Sequence, residues 1–342
     1  MSLKNLSATI KIPKLFRDKL KNKKIRKIYD KFENALKVKE DFIVAVSGGP
    51  DSLALAFLSR IYSINKKIKS RFYIIDHKLR PESTKEAKKV KQVLKKHQIN
   101  AQILTWKGKK PNKKIQSEAR KKRYDLLFNQ SNKLGIKNIL IGHHQDDLIE
   151  NFFIRMLRGS GLKGLISLDV ESEIKEKSLF RPLLDQKKND LVYLSNYVFN
   201  FYVEDPSNKN EKYQRIIVRK LIEGLEKNGL NKNKLLNTIK NLKHSNKIVN
   251  FYVNKNLKNN AFFNEIENKF VLNKNFFQQS YEVNFRSLSI LFNLIGKKYY
   301  SVRGKKIDNI IKNIENDSPF KATLGGCVIE KVNQTVIISK EY

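Results

Sequence analysis

Four times between residues 42 and 157 a short apolar run gives way to a longer stretch of helical periodicity. This alternation restricts the chain to strand–helix units, and so to a parallel sheet with helices on both faces. The runs are 42–47 (FIVAVS), 71–76 (RFYIID), 101–106 (AQILTW) and 137–142 (KNILIG). They are mostly apolar without strict alternation, as strands covered on both faces require. Helices are expected to about Tyr62, from Pro81 to about His97, from about Ile115 to Leu134 and from about Gln145 to Leu157. After Gly164 the alternation stops, and a polar stretch at 171–178 leads to Arg181-Pro182-Leu183-Leu184, a helix near 188–199 and a loop at 204–212. From Tyr213 to about Asn256 the pattern is helical and basic, broken at Gly229. A helix over about Lys305–Glu315 and a hairpin pairing roughly 321–331 with 335–339 end the chain. The expected fold class is therefore α/β, followed by a helical domain and a small α+β module. Four segments are expected: a Lys-rich helical extension over 1–40, the α/β domain over 41–215, basic helices over 216–296 and the module over 297–342.

Charge points to a polyanionic partner. The 342 residues carry 70 Lys+Arg against 33 Asp+Glu, a net charge of +37. A soluble chain this basic repels itself, which is tolerated where nucleic acid supplies the counter-charge. A Lys-rich compositional bias explains Lys in place of Arg, but not a twofold excess of cations over acids. Only 14 of the 70 are Arg, so an Arg position marks a need for the planar two-pronged guanidinium. Eight of those 14 lie between Arg80 and Arg219. The single cysteine, Cys327, excludes an intramolecular disulfide, a redox Cys pair and a cysteine-built zinc site, and it reads as a small buried apolar residue. There is no 18-residue apolar run and no apolar core of a signal peptide. No membrane span is expected, and a soluble cytoplasmic protein is.

The most specific local pattern is Ser47-Gly48-Gly49-Pro50-Asp51-Ser52, placed where the first strand passes into a helix. Glycines there let backbone approach a ligand without a Cβ in the way. The N–H groups of the turn converge at the positive end of the helix dipole, which makes an anion site. Ser47 and Ser52 add hydroxyls, and Pro50 fits the first helical turn. Asp51 is unexpected beside phosphate. It fits either a Mg²⁺ ion bridging it to polyphosphate or a helix cap. No Gly-Lys-Ser/Thr follows, and the glycine spacing is not that of a dinucleotide fingerprint.

This loop resembles that of the PP-loop ATP pyrophosphatases, and further motifs resemble one branch of them, the tRNA(Ile)-lysidine synthases. Asp76-His77-Lys78-Leu79-Arg80-Pro81-Glu82-Ser83 stands at the end of the second strand, where ligands of open α/β sheets bind, although a helix-capping turn alone would also account for Asp76 and His77. Glu118-Ala119-Arg120 precedes Arg123-Tyr124, with Arg120 and Arg123 three apart on one helix face. In Gly142-His143-His144-Gln145-Asp146-Asp147-Leu148-Ile149-Glu150 the spacing of His143, Asp147 and Glu150 lets one helix face carry all three. Arg155 and Arg158 lead into Gly159-Ser160-Gly161-Leu162-Lys163-Gly164-Leu165, and Arg181-Pro182-Leu183-Leu184 and Glu204-Asp205-Pro206-Ser207-Asn208 follow. Arg215 and Arg219 keep two arginines of a family pattern whose Asn is absent here, and Asn151 stands where a hydroxyl residue is usual. Leu324-Gly325-Gly326-Cys327 is similar to the family's end module.

The resemblance implies ATP and Mg²⁺, free L-lysine, and a tRNA(Ile) with a CAU anticodon. ATP would adenylate the C2 oxygen of the wobble cytidine, and the lysine amine would displace AMP. Residues 47–52, with Asp76, His77 and Gly142, are then the ATP site, and Asp51 and Asp147 the Mg²⁺ candidates. His143, Asp147 and Glu150 would orient or deprotonate lysine, while Arg120 and Arg181 face phosphate charge. Arg155, Arg158, Arg215 and Arg219 would contact tRNA. Three other readings compete. A PP-loop tRNA thiolase generally needs cysteines near the site. Amidotransferase-type chemistry on a small metabolite would not call for +37. A non-enzymatic RNA-binding protein would leave the phosphate loop and the acidic helix unexplained.

Overall fold

The computed structural model describes residues 13–108, 115–204, 214–297, 302–316 and 318–341. It divides into two compact units, Met1–Leu236 and Asn237–Tyr342. The first unit opens with α1 (Lys14–Leu20) and α2 (Lys23–Ala35), followed by β1 (Phe42–Val46), α3 (Pro50–Lys66), β2 (Ser70–Asp76), α4 (Ser83–Lys96) and β3 (Ala101–Thr105). Then come α5 (Ile115–Leu134), β4 (Asn138–Leu140), α6 (Gln145–Met156), the single turn α7 (Leu162–Leu165), β5 (Glu171–Ile174), β6 (Lys177–Phe180), α8 (Lys188–Phe199) and α9 (Gln214–Lys227). The unit boundary falls inside the 29-residue α10 (Lys232–Asn260).

The expected strand–helix alternation is present. The sheet order is β3-β2-β1-β4-β6-β5, with every pairing parallel except β5 with β6. The strand order reverses beside β1, so the loops after β1 and β4 border the crevice where ligands of such sheets bind. Phe42, Ile43, Val44 and Val46 are all buried, which is why this strand reads as continuous apolar sequence.

Several expectations change. The polar stretch 171–178, to which the sequence pattern assigns no element, forms strand. It contributes β5 and the start of β6, and the turn between them holds Lys175 and Glu176 at φ 50° and 60°. Left-handed turn positions usually advertise themselves as Asn or Gly, and here neither residue does. The extension over 1–40 is likewise no separate segment in its described part. Phe16, Ile25, Ile28, Tyr29 and Phe32 are buried in the same core as β1 and α3, and the Tyr62 hydroxyl donates to the carbonyls of Leu36 and Val38 at 2.9 and 2.8 Å. The divide expected at 215/216 also moves. Val218 and Ile222 of α9 pack on Ile149 and Phe153 of α6, which keeps α9 in the first unit.

The second unit carries β7 (Ala261–Asn264), β8 (Lys269–Leu272), α11 (Tyr281–Gly296), α12 (Gly304–Glu315), β9 (Phe320–Leu324), β10 (Cys327–Val332) and β11 (Thr335–Lys340). Its five-stranded antiparallel sheet has the order β7-β8-β11-β10-β9. The segment 321–331, expected as one arm of a hairpin, is two strands that turn at Gly325 and Gly326, both at positive φ. Cys327 is buried in the core between this sheet and its helices, as expected.

The packing of α1 against α3 is testable. Replacing Phe16 with Ala removes a fully buried ring and should cost about 3–5 kcal/mol in urea unfolding of the whole chain. A loss below about 1 kcal/mol would mean that the N-terminal helices are peripheral.

Candidate active site

The loop after β1 is shaped by Ser52. Its hydroxyl accepts from the backbone N–H of Ser47 (3.1 Å) and Gly48 (3.0 Å) and donates to the Gly49 carbonyl (2.9 Å). The Ser47 hydroxyl donates to Ser52 at 3.2 Å. Gly48 sits at φ +90°, and a Cβ there would stand 2.7 Å from a Val90 methyl and 3.1 Å from one of Val203. Both conformation and space therefore require glycine. Gly49 is the N-cap of α3 and Pro50 its first residue, as the sequence suggested. A Cβ on Gly49 would meet nothing nearer than the Ser47 hydroxyl at 3.9 Å, so this side of the turn is open. Gly142, after β4, lies where a Cβ would come within 3.3 Å of the Asp51 carbonyl and the Ser52 nitrogen. The two strand-end loops thus touch through backbone.

Asp51 does not cap α3. Its Oδ2 accepts from the Lys188 ammonium at 2.6 Å, and its Oδ1 is buried with no hydrogen-bond partner among the described residues. His144 is the N-cap of α6, and its Nδ1 accepts from the Asp146 amide at 3.2 Å. That bond assigns the proton of the neutral ring to Nε2, which faces Asp147 Oδ2 at 3.5 Å and Asp51 Oδ2 at 3.7 Å. Asp147 also accepts from the His144 amide at 3.0 Å. The two carboxylates proposed for Mg²⁺ therefore converge on one imidazole. Burial alone would raise the Asp147 pKa, but His144, His143, the His144 amide and Arg215 outweigh it and hold the carboxyl below its ordinary range. Among the described residues no cluster of three metal-ligating side chains occurs. A magnesium ion here would rest on these carboxylates, phosphate oxygens and water, its usual manner of binding. The orphaned Asp51 oxygen is the feature that fits it.

Two contiguous clefts open from this point. One, of about 250 Å³, is lined by Ser47, Asp51, Ser52, His77, Arg120, Arg123, Tyr124, Gly142 and His143, with Ile74, Ile75 and Leu127 as its apolar floor. The other, of about 490 Å³, shares Asp51, Arg120, Arg123, Gly142 and His143 and continues past Asp147, Glu150, Lys188, Arg215 and Arg219. Apolar floor and cationic wall suit a nucleotide in the first. In the second, Asp51, Asp146, Asp147, Glu150, Glu223 and Glu226 bring six carboxylates together among as many Lys and Arg side chains, in a chain of net charge +37.

The expected residues distribute unevenly over this geometry. α6 begins only at Gln145, so His143 precedes the helix rather than sharing its face, yet it lines both clefts beside Asp147. Burial, reinforced by Arg120, Arg181 and Arg215, lowers the His143 pKa to about 3 against the pull of Asp147, which keeps the ring neutral near pH 7. Glu150 is 3% exposed and bound to Arg219 at 2.6 and 3.4 Å. Burial pushes its pKa up more than Arg219 draws it down. Asp76 is turned to structure. It accepts from the Lys78 amide (3.0 Å), Ser83 (2.9 Å) and Thr84 (2.7 Å) and does not line either cleft. It ties the loop to the hydroxyls of the first turn of α4 but caps no helix, since the N-cap of α4 is Glu82, without a side-chain cap bond. His77 does reach the first cleft, where Arg123 approaches its Nε2 at 3.3–3.4 Å.

Arg120 lies over the Tyr124 ring at 5.3 Å and lines both clefts. Arg181 is buried, donates to the Asp169 carbonyl and Ser172 hydroxyl at 2.9 Å each, and lines neither. Its buried Nε has no hydrogen-bond partner among the described residues, and burial lowers its pKa. Arg215 stands 4.0 Å from Asp147. Arg155 and Arg158 lie outside both clefts, and Arg158 donates to Gln214. The Glu204 motif continues into residues outside those described. Lys188, unremarked in the sequence reading, is the missed member of the site. Its only signal was its place four residues after Arg181-Pro182-Leu183-Leu184.

Comparison with known proteins agrees with this geometry. Residues 18–225 match the PP-loop domain family. The chain is 34% identical over 315 residues to the tRNA(Ile)-lysidine synthase of Orientia tsutsugamushi, an alignment covering 87% of this chain and 69% of that protein. Against the enzyme of the same name from Wolbachia pipientis the figures are 31%, 87% and 70%, and against that from Rickettsia bellii 30%, 92% and 74%. Among solved structures, the U34-tRNA thiolase NcsA from Methanococcus maripaludis, with its [4Fe-4S] cluster, superposes with a TM-score of 0.53 at 20% identity. That likeness covers 65% of this chain and 79% of the thiolase, and it is one of fold. The domain match and the identity to these relatives together place the chain in the tRNA(Ile)-lysidine synthase family of PP-loop proteins.

Proposed function

We propose that the protein ligates free L-lysine to C2 of the wobble cytidine in a CAU-anticodon tRNA(Ile), using ATP. The observation that carries this reading is the joining of two clefts at Asp51, Gly142 and His143, one suited to a nucleotide and one rich in carboxylates. The cytidine C2 oxygen attacks the α-phosphorus of ATP and pyrophosphate leaves. The lysine amine then attacks C2, and AMP departs with the former C2 oxygen. The product base pairs with A rather than G and gives the tRNA isoleucine identity. Mg²⁺ held by Asp51, through the carboxylate oxygen that has no hydrogen-bond partner among the described residues, would offset polyphosphate charge.

The remaining roles belong to side chains of this chain. The loop at 47–52 receives the phosphates, and Arg120 faces charge that develops as pyrophosphate departs. Ionised Asp147 lies in the carboxylate-rich cleft, where an ammonium group would be held before losing its proton. Glu150, already paired with Arg219, serves better as a wall of that cleft than as a free base. Neutral His143 at the junction can accept a hydrogen bond without adding charge. The long α10, with seven Lys and no Asp or Glu, supplies cations for the RNA backbone, along with Arg155, Arg158 and Arg215. A thiolase reading is disfavoured because the only cysteine is buried in the second unit's core.

Purified protein, ATP, labelled lysine and a CAU-anticodon transcript should give label on the tRNA. Label from a sulfur donor instead would refute the ligase. Asp147→Asn should raise the KM for lysine about tenfold or more while leaving adenylate formation within about twofold. Equal loss of both steps would assign Asp147 to the metal. Because His143 is neutral above about pH 3, no limb of the lysine-transfer profile near pH 6.5 should belong to it. A limb there that disappears in His143→Asn contradicts this. Affinity for tRNA should fall steeply between about 50 and 200 mM salt, and a flat dependence would remove the role of the basic surface.

A further inference from the structure

Lysine-bearing phosphate loops carry their cation within the loop, and Ser47–Ser52 does not. The fold delivers one from 137 positions later, because Lys188 at the first turn of α8 places its ammonium 2.6 Å from Asp51 Oδ2. The placement is fixed by packing. α8 lies along α3, and the Ser195 hydroxyl donates to the Pro50 carbonyl at 2.7 Å, so the start of α3 and the body of α8 are tied together. Lys188 also lines the wider of the two clefts, and its side chain remains 36% exposed. Its flexible stem therefore leaves room to move within the cleft.

Asp51 poses a problem that Lys188 resolves. A carboxylate at the mouth of an anion site repels the polyphosphate unless a cation intervenes. In this structure that cation is the Lys188 ammonium, bound to one carboxylate oxygen while the other is left without a hydrogen-bond partner among the described residues. A magnesium ion arriving with a nucleotide would compete for the same carboxylate. An ammonium released in this way would remain within the cleft that Asp51 and Lys188 both line.

We propose that Lys188 is a nucleotide-binding residue that exchanges partners, leaving Asp51 for the β- and γ-phosphates when a metal-bound nucleoside triphosphate enters. This rests on the PP-loop reading of the site and adds to it the lysine that the loop itself lacks. It also predicts discrimination, since a ligand with only an α-phosphate gains nothing from the exchange.

The test compares Lys188→Met and Lys188→Arg with the wild type by calorimetric titration, with MgCl₂ present. The probes are a non-hydrolysable α,β-methylene ATP and AMP. Lys188→Met should weaken the triphosphate about 10- to 100-fold, as expected for losing a charge-assisted contact, and AMP less than about threefold. Lys188→Arg should recover most of the difference. Equal weakening of both ligands by Lys188→Met, or no weakening of either, would overturn the proposal. Thermal unfolding of each variant verifies that the site is folded. Should the wild type bind neither probe, the nucleotide reading itself fails, an outcome distinct from failure of the Lys188 assignment.

Discussion

The organising constraint of this molecule is the neutralisation of acid beside an anion site. Asp51 and Asp147 both face the Nε2 of His144, within 3.7 Å, at the mouth of a loop built to receive phosphate. Lys188 shares Asp51 Oδ2 with that ring, and Arg215 stands 4.0 Å from the other oxygen of Asp147. Each of these charges would be costly alone in a partly closed cleft, and each is tolerable because the others are there. The remainder of the first unit serves to hold them in register. β1 and β4 bring the two loops together, α3 and α6 point their N-termini at the junction, and α8 and α9 supply cations from outside.

That arrangement explains how one site can serve two unlike reagents. A triphosphate is strongly anionic and the amino acid carries a cationic ammonium, so the cleft must offer both signs within a few ångströms. The chain does so by division. The floor of the narrower cleft is apolar, with Arg120 and Arg123 on a wall that it shares with the wider one, and the wider one adds acids from α6 and α9 interleaved with Lys188, Arg215 and Arg219. Asp51, Gly142 and His143 belong to both. Burial and the neighbouring arginines keep the His143 imidazole at that junction neutral, so it joins the two fields without biasing either. The packing of α9 on α6 through Val218, Ile222, Ile149 and Phe153 keeps Arg215 and Arg219 opposite Asp147 and Glu150.

Much of this was legible in the amino-acid order. The buried strands announce themselves because both faces are covered, and the phosphate loop because its conformation admits few residues, as Gly48 at φ +90° illustrates. The β5–β6 hairpin escaped notice because its turn uses Lys and Glu in left-handed conformations and its edge strand is polar. The N-terminal helices looked like a basic extension because Lys dominates their exposed faces, while only one apolar stripe reaches the core. Within the site, residue types were readable but partners were not. Sequence spacing shows that Glu150 and Arg219 exist, but only the fold spends each on the other, and Asp76 is likewise consumed by Ser83 and Thr84. Lys188 was hidden among 56 lysines, and nothing short of three dimensions distinguishes it.

The central claim is that the loop hands the α-phosphorus of ATP to an oxygen of the nucleobase, which lysine then replaces. Isotopic labelling follows that oxygen directly. With ¹⁸O at C2 of the wobble cytidine in the tRNA, one turnover should release AMP carrying one ¹⁸O, and the modified base should retain none. Unlabelled AMP from a tRNA that keeps its ¹⁸O would contradict the account.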